Sequence, residues 1–214
     1  MTAVYPNDVD AVLDQCIRED KALKEAREYA SDMELPDIAV SVQQAKFLEL
    51  LVRTAKAKNV LEIGTLAGYS TIALARAVGE DGYVTTVEYE PRHAKVAHVN
   101  LYHAGIHHRT SVLVGDAHDI LPKLEPNSFD FIFIDADKES NEAYFKYAYG
   151  LGTEDVTVVV DNVIRDGRVL DPSRPDKREF IEFLGRQPAF DVSVIQTTGS
   201  KGWDGFVLAK RKVM

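Results

Sequence analysis

Three polar side chains directly follow a short, highly apolar segment, and their types could do chemistry together. The segment Phe131–Ile134 has β-branched and aromatic residues with no Gly or Pro, which predicts a strand buried on both faces. Asp135, Asp137 and Lys138 stand at or just beyond its end. Because open α/β sheets bind ligands beyond the carboxyl ends of their strands, two acids and an amine are expected where such a fold keeps its chemistry.

Carboxylates also stand at or near the ends of four other predicted strands. They are Glu62, Glu88, Asp116 and Asp161, the last of which is followed by Asn162. Clustered acids repel one another and are costly unless a cation joins them, so this pattern suggests a bound cation. Helix N-capping is the alternative. It could explain Asp116, but it does not readily explain Glu62, Glu88 or the Asp161–Asn162 pair.

A glycine-containing turn joins the first of these strands to a helix. Gly64 and Gly68 let the backbone approach a ligand closely, although two glycines at this spacing are a weak signal by themselves. The dinucleotide fingerprint G-x-G-x-x-G is absent, because position 66 is Leu. An acid that closes the second strand, here Glu88, is the usual acceptor for ribose hydroxyls. A nucleoside is therefore expected, and a pyrophosphate is less expected because acids surround the turn.

Regular alternation of strands and helices after Asn59 positions these residues. The predicted strands are Val60–Ile63, Tyr83–Glu88, Thr110–Val114, the apolar segment before Asp135, and Val156–Val160. The predicted helices are Ser70–Val78, Pro91–Ala104, Ala117–Leu124 and Glu139–Tyr149. This alternation indicates a doubly wound parallel sheet with right-handed crossovers. Two final strands, Asp191–Thr198 and Gly205–Arg211, are joined by so short a turn that they must pair antiparallel.

The amino-terminal part of the chain is predicted to be helical. Asp8–Ala30 has apolar residues close to helical periodicity, which predicts one amphipathic helix with Cys16 on its apolar stripe. Ser41 and Gln44 have the spacing of a capping box, which predicts the start of a second helix.

Composition excludes several classes of protein. A chain of 214 residues with 45% hydrophobic residues can bury a core and is expected to form one domain. The formal net charge of −9 argues against a general nucleic-acid binder. One cysteine rules out an intramolecular disulfide framework. Because no apolar run approaches a membrane span and no secretory signal is present, a soluble, cytoplasmic protein without membrane partners is expected.

Five motifs together resemble a known family. They are V-L-E-I-G-T-x-x-G-Y-S from Val60, V-E-Y-E-P from Val87, V-G-D-A from Val114, F-I-D-A-D-K from Phe133 and V-V-D-N-V from Val159. In this order and spacing they resemble the cation-dependent class I O-methyltransferases, the group of catechol O-methyltransferase and the caffeoyl-CoA O-methyltransferases. The resemblance implies an α/β fold: a Rossmann-like, doubly wound, seven-stranded sheet with an antiparallel last strand and helices on both faces.

The same resemblance implies roles for individual residues. It places S-adenosylmethionine over Gly64, with Glu62, Gly68, Tyr69 and Ser70 at its amino-acid end, Glu88 on its ribose, Ala117 and His118 beside its adenine, and Asp135 in contact with it. It assigns Asp135, Asp161 and Asn162 to a divalent metal, most expectedly Mg²⁺, and it assigns Asp135 and Lys138 to catalysis, with Lys138 as the general base.

The expected activity is metal-dependent methyl transfer from S-adenosylmethionine to a hydroxyl of a small, catechol-like phenol. Two carboxylates and an amide suit Mg²⁺, which prefers oxygen ligands, and a vicinal diol could chelate the open positions. Methylation of a caffeoyl-CoA-type ester is the alternative. An NAD-dependent oxidoreductase is less favoured because the dinucleotide fingerprint is missing, and a cofactor-binding protein without catalysis is disfavoured by the intact acid, amide and lysine set.

Some features leave the acceptor and the assembly open. Where the family usually continues D-A-D-K-x-N-Y, this chain has Ser140-Asn141, which alters the wall beyond the expected base. Arg165, Arg168 and Arg174 could receive a phosphorylated or CoA-linked acceptor, or they could form a solvated basic loop. Trp203 could wall the acceptor pocket or merely cover the last hairpin. Within the single domain, helices in residues 1–57 are expected to cover the acceptor site and to contact a partner in a homodimer, while residues 58–214 form the core.

Overall fold

The computed structural model describes residues 5–17, 19–173 and 175–212. The amino-terminal helices are α1 (Pro6–Leu13), α2 (Lys21–Asp32) and α3 (Val42–Thr54). The strands are β1 (Asn59–Ile63), β2 (Tyr83–Glu88), β3 (Thr110–Val114), β4 (Phe129–Ile134), β5 (Gly152–Val160), β6 (Phe190–Gly199) and β7 (Gly202–Arg211). The helices between strands are α4 (Tyr69–Ala77), α5 (Pro91–His103), α6 (Ala117–Ile120), α7 (Asn141–Leu151) and α8 (Pro175–Gly185).

The strands form one mixed sheet in the order β3-β2-β1-β4-β5-β7-β6. Strands β1 to β5 pair in parallel, whereas β7 is antiparallel to both β5 and β6. The predicted seven-stranded sheet with an antiparallel last strand is confirmed. Because the strand order reverses between β1 and β4, the carboxyl ends of these two strands border the crevice in which open α/β sheets bind ligands.

Helices cover both faces of the sheet, since side chains of the central strands alternate between two apolar cores. In β4, Ile132 and Ile134 join the core that includes α6, α7 and α8, whereas Phe131 and Phe133 join the core that includes α2, α3 and α4. Each of the four is at most 1% exposed. Burial of a side chain of this size contributes about 1.5–3 kcal/mol, which explains why polar residues begin only where the strand ends.

The single helix predicted over Asp8–Ala30 is wrong. The chain forms α1, a 3₁₀ turn at Asp14–Cys16 and then the separate helix α2. The break has a local cause, because the Asp20 side chain accepts a hydrogen bond from the Leu23 amide at 3.1 Å and so caps α2. Cys16 is exposed rather than packed on an apolar stripe.

The chain's last two strands form a tight hairpin that overhangs the same edge of the sheet. Only Ser200 and Lys201 separate β6 from β7, so both strands are longer than predicted. Across the described ranges, none of the helices combines the length and the apolar character needed to pass through a bilayer. Arg174, which the sequence grouped with Arg165 and Arg168, lies outside the described residues.

Candidate functional site

One large cleft of about 1610 Å³ opens at the carboxyl ends of the strands and contacts most of the predicted site residues. The predicted residues that line it are Gly64, Tyr69, Ser70, Glu88, Ala117, His118, Asp135, Lys138, Asp161 and Asn162. Glu62 and Gly68 do not line it. The sheet therefore brings acids from β2, β4 and β5 to one edge, as the strand-end pattern indicated.

Glu62 lies beneath the cleft and is fully buried. Its two carboxylate oxygens accept hydrogen bonds from the hydroxyls of Ser70, at 2.6 Å, and Thr71, both at the start of α4. Burial raises the pKa of Glu62 to about 7, although the hydroxyl donors, which favour the charged form, act in the opposite direction. Glu62 therefore positions Ser70, and its direct contact with a cofactor stays a prediction.

Gly64 is the point at which β1 comes closest to the end of β4. Its φ is +99°, and a Cβ on it would lie 2.1 Å from the carbonyl oxygen of Asp135. Any side chain would therefore collide with backbone. Gly68, with φ of +81°, precedes α4 and supplies the left-handed conformation that starts this helix. Both glycines are needed for steric reasons, and Gly64 also leaves its surface open to the cleft.

Glu88 is held rigidly at the end of β2. One of its oxygens accepts hydrogen bonds from the amides of Thr65, at 3.1 Å, and Leu66, at 2.7 Å, in the Gly64 turn. The other oxygen accepts from the Glu90 amide at 2.9 Å and lies 3.3 Å from Nδ1 of His93. The carboxylate is thus fixed against the glycine turn on the wall of the cleft. The contact with His93 was missed, and its only sequence signal is the position of His93 shortly after a strand-end acid.

The predicted adenine end has a network that the sequence did not indicate. Asp116 caps α6 by accepting from the His118 amide at 2.8 Å, so the capping alternative for this acid is confirmed. The His118 ring stacks on Tyr144 with ring centres 5.3 Å apart, and its Nε2 lies 3.1 Å from Ser140 Oγ. The Tyr144 hydroxyl donates to Asp137 at 2.5 Å. Ser140, one of the residues that departs from the family pattern, therefore contacts His118.

Asp135 and Asp161 leave adjacent strands side by side. The β4–β5 register pairs Ile134 with Val160, and the Asp161 amide donates to the Ile134 carbonyl at 2.9 Å. Burial and the nearby Asp135 carboxylate raise the pKa of Asp161 well above its usual range, whereas Lys138 lowers it. Lys138 is itself buried, with Nζ 2.8 Å from Asp135 Oδ1. Lys138 thus pairs directly with Asp135 and acts on Asp161 through its charge.

Asn162 is fixed by a residue that the sequence gave no reason to choose. Asn162 has φ of +57°, and its Nδ2 donates to Asp204 Oδ2 at 3.1 Å, which leaves the amide oxygen free to point elsewhere. The other oxygen of Asp204 accepts from the amides of Ile164, Arg165 and Gly205 at 2.8–3.2 Å. Asp204 therefore holds the turn after β5 and the amide of Asn162 in one arrangement.

Gln44 connects the amino-terminal helices to this group of acids. The predicted capping box is confirmed, because Gln44 Oε1 accepts from the Ser41 amide at 3.0 Å and the Gln44 amide donates to Ser41 Oγ at 3.1 Å. Nε2 of Gln44 lies 3.4 Å from Asp161 Oδ2. Gln44, which the sequence predicted only as part of a helix cap, therefore also contacts a predicted site residue.

The outer wall of the cleft comes from α1, the segment before α3, the turn after β5 and the β6–β7 hairpin. Trp203 lies on this wall, packs against Gly167 and donates from Nε1 to Gln196 Oε1 at 2.9 Å. It therefore both lines the cleft and covers the hairpin. Asp10 accepts from the Ser200 amide at 2.6 Å, which joins α1 to the hairpin turn.

Asp135, Asp161 and Asn162 fit a hard cation by the chemistry of their donor atoms. Two carboxylates and an amide oxygen are ligands that Mg²⁺ accepts, with further positions left for water or substrate. Within the described ranges no three His, Cys, Asp or Glu side chains converge as a ready-made metal site. Any site built from Asp135 and Asp161 would therefore take its third protein ligand from a group outside these four residue types, such as the Asn162 amide.

Comparison with known proteins places this site in a family. The family model described as O-methyltransferase matches residues 13–212. The chain belongs to the O-methyltransferase family. The resemblance and the enzyme class predicted from the sequence are thereby confirmed, and the alternative of an NAD-dependent oxidoreductase does not fit this family.

Relatives of this O-methyltransferase match it over nearly its whole length. A protein of Mycobacterium tuberculosis named catechol O-methyltransferase is 50% identical over 209 residues, which cover 95% of each chain. The structure of the O-methyltransferase TomG from Streptomyces achromogenes, in complex with S-adenosylmethionine, is 41% identical with a TM-score of 0.92, and 97% of each chain is covered. An O-methyltransferase from Bacillus cereus in complex with SAH is also 41% identical, with a TM-score of 0.92 over 97% of this chain and 98% of that one.

Proposed function

We propose that this O-methyltransferase moves a methyl group from S-adenosylmethionine to a hydroxyl of a small catechol-like phenol, with a divalent cation held by Asp135, Asp161 and Asn162. The observation that carries the proposal is the placement of the Asp135–Lys138 ion pair beside Asp161, in the same cleft as the Gly64 turn and Glu88. The name of the Mycobacterium tuberculosis relative supports the phenolic acceptor, and the TomG complex supports the methyl donor.

The cofactor half of the proposal depends on the Gly64 turn. The open face of Gly64 admits close approach of a ligand, and Glu88 stands beside it with oxygens oriented by backbone amides. A carboxylate held in this way suits two ribose hydroxyls. Ala117 and His118 line the next part of the cleft, where the adenine is proposed to lie.

The chain's own residues carry most of the acceptor chemistry. When bound, the divalent ion would supply Lewis-acid activation of the phenol. Asp135 holds the Lys138 amine at the wall of the cleft, and in its neutral form this amine would take the proton from the acceptor hydroxyl. Methyl transfer from a sulfonium requires mainly alignment of the nucleophile and the methyl carbon, and proximity of this kind can supply roughly 7–11 kcal/mol. Positioning is therefore the main task of the cleft.

The amino-terminal segment, residues 1–57, is proposed to cover the acceptor. The contacts of Gln44 with Asp161 and of Asp10 with Ser200 support this role, since they join α3 and α1 to the two sides of the cleft. A homodimer formed through these helices remains a prediction. Methylation of a caffeoyl-CoA-type ester is the second candidate, because Arg165 and Arg168 lie on the outer wall of the cleft.

A direct assay tests the proposal. Transfer of labelled methyl from S-adenosylmethionine to catechol is measured with added Mg²⁺ and again with excess EDTA. Transfer that depends on the metal supports the proposal. Equal transfer with and without EDTA would contradict the proposed role of the metal. Binding of NADH but not of S-adenosylmethionine would contradict the proposed cofactor.

A further inference from the structure

The outer wall of the cleft carries two arginines that the proposed reaction does not use. Arg165 and Arg168 line the same cleft as Asp135 and Asp161. Arg165 is half-buried and Arg168 is exposed. Across residues 5–17, 19–173 and 175–212, neither guanidinium has a hydrogen-bond or ion-pair partner. In a chain with net charge −9, a half-buried guanidinium without a carboxylate partner is available to a ligand anion.

Several acids that line the same cleft are engaged with other groups. Asp10 accepts from the Ser200 amide, and Asp37 pairs with Lys201 at 2.9 Å. Asp204 is occupied by four hydrogen bonds from the turn after β5 and the start of β7. Asp166 is the remaining acid of this turn on the cleft, and it is exposed. Its charge opposes that of the two arginines.

The backbone that carries Arg165 is fixed relative to the proposed metal ligand Asn162. Asp204 accepts from both the Asn162 side chain and the Arg165 amide, at 3.1 and 2.8 Å. The Asp166 amide donates to the Trp203 carbonyl at 2.7 Å, which ties the same turn to the hairpin. Arg165 thus lies on a rigid turn, three residues beyond Asn162. Its position relative to Asn162 is fixed, so it can recognise a substituent that the acceptor carries at this distance.

We propose that Arg165, assisted by Arg168, binds an anionic substituent of the acceptor at the end of the molecule remote from its diol. The proposal rests on the proposed function, because the diol end must reach Asp135, Asp161 and Asn162. A carboxylate matches the planar fork of a guanidinium and can accept two hydrogen bonds from it. A phosphate has the same chemistry, so the anion could belong to a ring carboxylate or to the nucleotide part of a thioester. Neutral catechol would leave both arginines unused.

Steady-state kinetics with three acceptors test the proposal and separate the two sources of anion. The ratio of kcat/KM for protocatechuate, which has a ring carboxylate, to that for catechol is measured, as is the corresponding ratio for caffeoyl-CoA. In Arg165→Gln at least one of the two ratios should fall about tenfold, chiefly through an increase in KM. A hydrogen bond to a charged group contributes about 1.4 kcal/mol, which corresponds to a factor of ten. Arg168→Gln should have a smaller effect because this side chain is exposed.

Three control variants sharpen the result. Arg186→Gln removes an exposed arginine away from the cleft, and both ratios should be unchanged. Arg165→Lys keeps the charge without the fork and should restore part of the ratio. Asp166→Asn removes the opposing charge and should raise the ratio. Melting temperatures of all variants show whether each is folded.

The outcomes distinguish this inference from the proposed function. A fall in the protocatechuate ratio identifies a carboxylate, and a fall confined to caffeoyl-CoA identifies a phosphate. Ratios that stay unchanged in folded Arg165→Gln overturn the inference, while metal-dependent methylation of catechol would still stand. If none of the three phenols is methylated by the wild-type protein, the proposed function fails first.

Discussion

The two ends of the cleft satisfy their acids in different ways. At the cofactor end, the carboxylates of Glu62 and Glu88 receive hydrogen bonds from hydroxyls and backbone amides of neighbouring turns. At the proposed acceptor end, Asp135 pairs with the Lys138 ammonium at 2.8 Å, and the neighbouring Asp161 accepts from the Asn162 amide and lies 3.4 Å from Gln44 Nε2. Neutral donors hold the first two acids, whereas the second two act on each other, because the Asp135 carboxylate helps to raise the pKa of Asp161. We therefore propose that the first end is preorganised for the cofactor and that the second end takes a cation.

The strongest test of this difference removes one acid from the acceptor end. Asp161→Ala should lower kcat/KM for catechol by about a hundredfold or more, because misplacement of reacting groups by about 1 Å already costs about that factor. The dissociation constant of S-adenosylmethionine, measured by calorimetry, should change little. Glu154→Ala, at an exposed position of the same strand, is the matched control. Unchanged turnover in Asp161→Ala would contradict the metal role of this residue.

The pH dependence of stability separates the two ends in a second way. Glu62 and Asp161 both have pKa values raised by burial, so each stabilises the fold below its unfolded pKa and loses that contribution as pH rises through the folded pKa. For Glu62, whose pKa rises from 4.5 to about 7, the loss between pH 5 and 8 should be about 2–3 kcal/mol, since the slope reaches 1.36 kcal/mol per pH unit only between these two pKa values. Urea unfolding of the metal-free protein at several pH values measures this change in the free energy of unfolding.

Added Mg²⁺ should restore only the Asp161 part of this loss, because an ion that binds the folded state alone stabilises it. The Glu62 part should persist with the ion present and should disappear in Glu62→Gln. Complete restoration by Mg²⁺ in the wild-type protein would show that Glu62 does not carry the pH dependence and that the two ends do not differ in this respect.

Replacement of a satisfied acid should affect the cofactor end alone. Glu88→Gln keeps the shape but removes the charge that is proposed to accept from the ribose hydroxyls, and a hydrogen bond to a charged group is worth about 1.5–3 kcal/mol. Binding of S-adenosylmethionine should weaken about thirtyfold by calorimetry, while the metal dissociation constant stays the same. Glu90→Gln, on the exposed neighbour, should leave both constants unchanged. An equal loss of metal affinity in Glu88→Gln would show that the two ends are not independent.

The smallest expected effect concerns the residue that orients Asn162. Asp204→Asn should weaken binding of Mn²⁺, followed by electron paramagnetic resonance, about tenfold, since loss of a partner that orients a metal ligand typically costs 10–100-fold. The control is Asp191→Asn, an exposed residue of β6 whose carboxylate lies 3.4 Å from Lys212 Nζ. If Mn²⁺ affinity were unchanged in folded Asp204→Asn, the orientation of Asn162 would have to be set by the backbone alone.

The acids at both ends were predictable because periodicity reveals where strands end. Runs such as Phe131–Ile134 are buried on both faces, so the first polar residue after them must lie at the edge of the sheet. The break between α1 and α2 was not predicted, because the apolar periodicity continues through it and only the Asp20 cap interrupts the helix. An N-cap such as Asp20 can therefore end one helix and start another even where the apolar periodicity predicts a single helix.

The residues that orient the site were missed for a different reason. Asp204 is 42 residues from Asn162 along the chain, and Gln44 is 117 residues from Asp161. Such pairs form only after the strands have assembled, so no local spacing reports them. The ring of Tyr144 is buried in the core, but its hydroxyl also donates to Asp137. Sequence spacing shows which face of a helix or strand a residue occupies, but it does not show which partner the polar group of its side chain contacts.

The near-contact between Gly64 and the backbone of Asp135 limits how this protein can be redesigned. A single added carbon would force β1 and β4 apart. The Gly64 turn, where the methyl donor is proposed to bind, follows β1, and Asp135 follows β4. Transplanting either half from a distant relative would therefore require both strand ends to be exchanged together. Variation of acceptor preference is more readily tolerated in the β6–β7 hairpin and the turn after β5, which form the outer wall of the cleft and do not contribute to this junction.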